Sequence, residues 1–309
     1  MENQLKKDLI KDEIRQKTEN YKAERKKDEE EFRKNQREKE EQYKEYVRRK
    51  EDEITIIERE DSPKPYTRAE KAALKKEKRE REKERRKELS LPYYSHGEEL
   101  MNSISHIVGA VFAITVIILG VHYSALQSVN QTSATLTMSI YGVCMLLLYT
   151  MSSVYHFLNV NKAKKVFQII DHCTVYILIG ATYVPVCALM LNNIYPYNYV
   201  LLGCVIGAVV LGVALNATMM KKKAVKVVSY ILYVAVGWCI IFFFPWLIEE
   251  AGLTCVLLLL FGGVAYTTGA ILYAVGRKKK YFHFIFHLFV LAGSALQFAS
   301  ILLYLIQQI

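Results

Sequence analysis

RKKKYFHFIFHLFVLAGSALQFASILLYLI, residues 277–306, opens with four consecutive basic side chains and then runs to its end without another charge. The apolar part, 282–306, makes a helix about 38 Å long at 1.5 Å per residue, enough to cross a hydrocarbon core of ~30 Å. Six more such stretches lie upstream, at 103–123, 135–158, 167–191, 199–219, 227–248 and 253–276. Together they predict an all-α integral membrane protein with seven transmembrane helices. Pro185, Pro245, Gly203 and Gly207 fall inside these stretches, where lipid-embedded helices tolerate them. GCVIG at 203–207 has small-xxx-small spacing and predicts close helix packing.

The basic residues predict the orientation. Lys162, Lys164 and Lys165 follow the second stretch, Lys221, Lys222, Lys223 and Lys226 the fourth, and Arg277 to Lys280 the sixth. The connections after the first, third and fifth stretches carry no Lys or Arg, and neither does the end of the chain. By the positive-inside rule the N-terminus is cytoplasmic and the C-terminus extracellular, with the plasma membrane as the expected location.

Charge is concentrated elsewhere. Of 41 Lys and Arg, 30 lie in residues 1–90, as do 26 of the 31 Asp and Glu. The rest of the chain is far poorer in charge than a soluble domain. No apolar leader is expected ahead of the first stretch. The division is therefore 1–95, a charged cytoplasmic tail, and 96–309, the membrane domain. Residues 1–60 read as broken, charge-rich helix, DSPKPYT at 61–67 as a breaker, and 68–89 as a helix with Glu-to-Arg pairs at i,i+4. The tail has too little apolar surface for a core, so a chain starting near Pro92 is expected to insert and fold by itself. A solvated helix is the simpler reading of 68–89. Contact with anionic lipid headgroups or nucleic acid is the alternative, the lipid attraction weakened by its interspersed glutamates. Membrane lipids are the expected partners, and no specific nucleic acid is. The six cysteines all fall in apolar stretches, without CxxC, and read as small buried residues.

Ionisable groups inside membrane spans are costly and usually functional. Asp171 is the sole acid within the seven stretches. His156 precedes Lys162 by six residues, Asp171 follows Lys165 by six, and His283 and His287 follow Lys280 by three and seven. These four groups should lie roughly 5–10 Å below the same membrane surface. His283 and His287 share a helix face, and Ser152 stands one turn deeper than His156. Three imidazoles with an open fourth position form a catalytic zinc site, where a nearby carboxylate can act on the water. The alternative is three unrelated interfacial histidines bonded to their neighbours. His106 lies at the same depth, His122 at the outer end of its helix, and His172 points about 100° from Asp171.

EELMNSISHIVG at 98–109, SSVYH at 152–156, DHCTVYILIGATYVP at 171–185 and FHFIFHLFVLAGSALQF at 282–298 resemble the motifs of bacterial hemolysin III proteins. YILYVAVGW at 230–238 and GGVAYTTGAILY at 262–273 fit as well. That family is related to the progestin and adiponectin receptors, and the resemblance covers essentially all of 96–309. It implies seven helices, a cytoplasmic N-terminus and an intramembrane zinc. It also implies His156, His283 and His287 as ligands, Asp171 beside the zinc water, and Ser152 assisting. The long charged tail departs from the short N-termini usual in the family.

Three functions follow as expectations. The first is a zinc-dependent hydrolase of lipid amides, as in ceramidase-like relatives, with Asp171 as general base and Ser152 holding the oxyanion. The second is a pore-forming cytolysin, for which no polar pore lining is evident. The third is a receptor or regulator of membrane lipid homeostasis with a structural zinc. A rhodopsin-like pump is excluded because 282–306 lacks a lysine. A cytoplasmic N-terminus disfavours a G-protein-coupled receptor.

Overall fold

The computed structural model describes residues 2–60, 67–220, 222–275 and 279–309. The breaker at 61–66, Lys221, Arg277 and Lys278 fall outside the described residues. Those described form helices α1 (Glu2–Glu60), α2 (Arg68–Glu88), α3 (His96–Ala125), α4 (Gln131–Phe157), α5 (Lys162–Pro185), α6 (Tyr197–Met219), α7 (Lys223–Trp238), α8 (Phe244–Val275) and α9 (Phe282–Gln307), with no strand among them.

The chain divides into two compact units, Met1–Lys76 and Glu77–Ile309. In the first, α1 is one continuous helix of 59 residues rather than the broken helix expected. Nothing between residues 2 and 60 is Gly or Pro. Ion pairs one turn apart, Glu13–Lys17 at 3.0 Å, Glu40–Lys44 at 2.7 Å and Glu45–Arg49 at 2.6 Å, add a few tenths of a kcal/mol each. Apolar periodicity was the wrong criterion for a helix of this charge-rich composition.

In the second unit α3 packs on α4 and α9, α4 on α5, α5 on α6, α6 on α7, and α8 on α9, so the first and last helices of the bundle meet. Three buried stripes explain the arrangement. On α3 the buried residues Glu99, Asn102, His106, Gly109, Ala113, Val116 and Gly120 alternate by three and four. Met138, Tyr141, Met145, Tyr149, Ser152 and His156 do so on α4, and His287, Val290, Ser294, Phe298, Ile301 and Leu305 on α9. Such spacing keeps one helix face inward. Each stripe is small or apolar along most of its length and polar at one end, and the three polar ends meet. The outward face of α3 is the converse: Ile107, Val111, Ile114 and Ile118 are 47–61% exposed. Apolar rows that face outward over helices of span length are what lipid as solvent selects.

Among the described residues, six segments are long and apolar enough to cross a membrane. One of them, Val227–Val275, is 49 residues long, about 74 Å of helix, and so exceeds two hydrocarbon thicknesses. It is interrupted at Gly252, whose φ of 80° and ψ of 158° are not helical.

Close approaches occur at glycines other than those anticipated. Gly203 and Gly207 have open space where a Cβ would stand, so these two glycines make no close approach to another helix among the described residues. The inward face of α6 carries Val205, Val209, Gly212 and Asn216 instead. A Cβ at Gly212 would lie 2.2 Å from the buried Tyr176 ring, and one at Gly109 would lie 2.4 Å from Tyr149. Of the cysteines, Cys173, Cys187 and Cys255 are buried, Cys144 and Cys239 half-buried, and Cys204 exposed on the outer face of α6.

Gly212→Ala should therefore destabilise the protein by about 1–3 kcal/mol through overpacking. Gly207→Ala should stay within about 0.5 kcal/mol of the parent or stabilise it slightly. Thermal unfolding of the two variants in detergent checks the contrast, and equal effects would contradict the packing described.

Candidate metal centre

The site lies where the polar ends of the three stripes converge. Ser103 Oγ donates to the carbonyl of Ser153 at 3.1 Å, and Ser153 Oγ donates to that of Ser103 at 3.2 Å, which locks the register of α3 and α4. Ser294 on α9 receives the Tyr149 hydroxyl of α4 at 2.7 Å and lies 2.7 Å from that of Tyr266 on α8. These bonds hold α9 against α4, so His283 and His287 face His156.

His283 Nε2 lies 3.1 Å from His156 Nε2 and 3.1 Å from His287 Nε2. One nitrogen from each of the three rings falls within 4.8 Å of the others. The outer nitrogens explain why the inner ones converge. His156 Nδ1 is 2.8 Å from a Glu99 carboxylate oxygen, which only accepts, so Nδ1 carries the proton. His287 Nδ1 donates to the Asn102 carbonyl at 3.1 Å, with Ser105 Oγ at 3.0 Å. Both Nε2 atoms therefore present lone pairs to His283 Nε2. A single N–H on His283 cannot satisfy both, but a cation between them can. Tetrahedral zinc at about 2.0–2.1 Å from each nitrogen sets those nitrogens roughly 3.3 Å apart. The residues present fit such an ion, and the cluster could bind a metal.

The other predicted groups lie alongside. Ser152 and Asp171 line one cavity of about 170 Å³ together with His283 and His287. Ser152 Oγ is buried and finds no hydrogen-bond partner among the described residues. His172 lines the same cavity, and its carbonyl accepts from the Tyr233 hydroxyl at 2.9 Å. His106 stacks on His287 with centroids 3.6 Å apart. His122 is at the far end of α3, edge-on to Tyr123. Most of the remaining lining is apolar, including Leu148, Val175, Ile179, Phe286 and Val290.

With this geometry established, likeness to known proteins is informative. A family profile described as "Haemolysin-III related" matches residues 94–298. The chain is 34% identical over 209 residues to "Hemolysin-3" of Bacillus cereus, covering 68% of this chain and 92% of that protein. It is 32% identical over 215 residues to the "Hemolysin-3 homolog" of Bacillus subtilis (strain 168), covering 68% and 95%. The chain belongs to the haemolysin-III related family. It is a multi-pass membrane member of it, and residues 1–93 precede the part that the family profile matches.

Several residues around the haemolysin-III site escaped the sequence reading. The first spanning helix begins at His96, not near 103, which brings Glu98 and Glu99 into it. Ser95 starts it with a capping box: its hydroxyl accepts from the Glu98 backbone at 3.3 Å, and Glu98 accepts from the Ser95 backbone at 2.9 Å. Glu99 stands a turn from Asn102 and two turns from His106, so its i, i+3, i+7 spacing was the available signal. Lys164, expected in a loop, lies in α5 and is buried. Its ammonium donates to the carbonyls of Tyr155 at 3.0 Å, His156 at 3.3 Å and Leu158 at 3.0 Å, and pairs with Glu99 at 3.0 Å. It thereby satisfies the open carbonyls at the end of α4. Half-buried Tyr94 stacks on His283 with centroids 4.9 Å apart. Burial above all, and then the nearby Tyr273, holds its phenol well above the ordinary range and hence neutral.

Lys164→Met keeps the side-chain length and removes the charge. It should destabilise the protein by on the order of 3 kcal/mol, because Glu99 loses a buried partner and α4 its terminal donor. Thermal unfolding in detergent measures this, and an unchanged midpoint would show the ammonium to be dispensable.

Proposed function

We propose that this haemolysin-III related protein is a zinc-dependent hydrolase of lipid amides, with zinc on His156, His283 and His287 near the cytoplasmic face. The observation that carries the reading is the cavity. Ser152, whose Oγ has no partner among the described residues, and Asp171 line it together with His283 and His287, and much of the remaining lining is apolar or aromatic. From His287 to Gln297, both of which line it, the helix rises about 15 Å, room for part of an acyl chain.

When bound, zinc supplies a Lewis acid that polarises a carbonyl and makes water a nucleophile near neutral pH. The chain supplies the rest. Asp171 accepts the proton of the attacking water and returns it to the leaving amine. The Ser152 hydroxyl donates to the oxygen that becomes negative. Leu148, Val175, Ile179 and Val290 hold the acyl chain and exclude water. His156→Ala combined with His287→Ala should abolish zinc binding, read by elemental analysis of the purified protein. Asp171→Asn should keep the zinc and lower release of fatty acid from N-acylsphingosine by about 10²–10⁴-fold, as loss of a general base does. Stoichiometric zinc in the double variant would end the ligand assignment, and wild-type turnover by Asp171→Asn would end the role of the carboxylate.

The proposed topology is seven crossings with the N-terminus cytoplasmic and the C-terminus extracellular, in the plasma membrane. Two features support seven: the 49-residue length of Val227–Val275, and the break at Gly252 beside Glu249 and Glu250, the only charged residues within that stretch. Membrane lipids are the proposed partners, and residues 1–95 the proposed cytoplasmic tail. Reporters fused after Asn159 and after Ile309 should read opposite sides of the membrane. The same side for both would reject seven crossings.

The name of the Bacillus cereus relative, "Hemolysin-3", favours cytolysis as a second reading. Release of haemoglobin from erythrocytes by the purified protein, undiminished in the His156/His287 double variant, would support cytolysis over hydrolysis.

A further inference from the structure

The residues that back the histidines form a connected set, which the hydrolase reading leaves without a role. Glu99, Asn102 and His106 follow one another at i, i+3 and i+7 on α3 and touch the rear of two of the three rings. Glu99 meets His156 Nδ1 at 2.8 Å, the Asn102 carbonyl meets His287 Nδ1 at 3.1 Å, and His106 stacks on the His287 ring.

The two oxygens of Glu99 divide their duties. Oε1 receives the Lys164 ammonium at 3.0 Å and both terminal nitrogens of Arg86 at 3.3 Å. Oε2 is left to His156. Arg86 comes from α2, outside the spanning helices, yet its side chain is 7% exposed, that of Glu99 9% and that of Lys164 1%. Its other donors are committed as well, to the Pro92 carbonyl at 2.8 Å and to Glu82 at 3.0 Å. The Lys164 ammonium has three protons and four acceptors within 3.3 Å, so its hold on Glu99 is shared. The guanidinium fork is planar and pre-organised. It therefore fixes the direction of the carboxylate, and the carboxylate fixes the ring.

The geometry assigns Glu99 and Arg86 as positioning residues of the metal centre. Glu99 holds His156 with Nδ1 as proton donor and Nε2 as ligand, and Arg86 carries that constraint from the segment preceding the first span. The assignment rests on the reading that the three histidines hold zinc, and goes beyond it by making residues 77–95 part of the site. Glutamine at 99 is not an equivalent. If its oxygen accepts from His156, its NH₂ confronts Arg86 and Lys164, donor against donor.

The test uses the full-length protein in detergent, stripped of metal and titrated with Zn²⁺ against a competing chelator. The visible spectrum of the Co²⁺-loaded protein is recorded in parallel. Outer partners of ligating histidines typically contribute 10–100-fold in affinity. Glu99→Gln should weaken Zn²⁺ by about that factor and alter the Co²⁺ spectrum, and Arg86→Ala should weaken it by about 10-fold. Arg86→Lys, which keeps the charge, should recover part of the loss even if Glu99→Gln fails to fold. Tyr183→Phe removes a buried hydroxyl that donates to Val236 and should lower stability without changing Zn²⁺ affinity. Wild-type affinity in both Arg86→Ala and Glu99→Gln would overturn the positioning role alone, as would an equal loss of affinity in Tyr183→Phe. A wild-type protein that takes up no Zn²⁺ would overturn the metal reading itself.

Discussion

The bundle is organised by the absence of water in the hydrocarbon layer. A polar group there must find its partner within the protein. In this chain most buried side chains are apolar or small, and many of the exceptions are gathered. Glu99, Asn102, Ser103, Ser105, His106, Ser152, Ser153, His156, Lys164 and His287 are all buried, and they occupy adjoining ends of α3, α4, α5 and α9. Gathering them lets Glu99, Ser103, Ser105, Ser153, His156, Lys164 and His287 find partners in one another or in nearby carbonyls, and it leaves the remaining length of those helices free to pack on apolar contacts or to face lipid.

Within the cluster, charge is neutralised stepwise from one end to the other. Arg86 and Lys164 meet Glu99, Glu99 meets His156, and His156 turns its remaining lone pair toward the other two rings. A buried carboxylate with one cation removed is costly, which accounts for two cations on a single oxygen. At the inner end the order reverses. Two lone pairs converge on His283 Nε2, each at 3.1 Å, an arrangement that favours a positive ion. The cavity is lined by Ser152, Asp171, His283 and His287 and otherwise largely by apolar and aromatic side chains. Glu99 and the Asn102 carbonyl thus anchor the outer nitrogens of His156 and His287, while Ser152 Oγ finds no partner among the described residues.

The sequence was legible where position along a helix axis decides the matter. Span lengths, the basic clusters, the shared depth of His156, Asp171, His283 and His287, and the helix at 68–88 all follow from counting residues. Counting also misled. GCVIG predicted close helix packing at its glycines, but no described residue stands within 4 Å of a Cβ at Gly203 or Gly207. The low apolar content of 1–60 suggested a broken helix, although propensity and ion pairs one turn apart sustain an unbroken one.

The sequence by itself determined that this is a membrane protein of the haemolysin-III kind with three histidines at one depth, because depth is set by distance from the charged boundary at 1.5 Å per residue. The tertiary structure alone decided which faces meet. It brought α3 between α4 and α9, turned a glutamate outside the expected first span into the partner of His156, and drew Arg86 and Lys164 inward from segments read as tail and loop. The rotation of a helix about its axis, and the neighbour it packs against, depend on contacts between residues far apart in the chain, which no local spacing records.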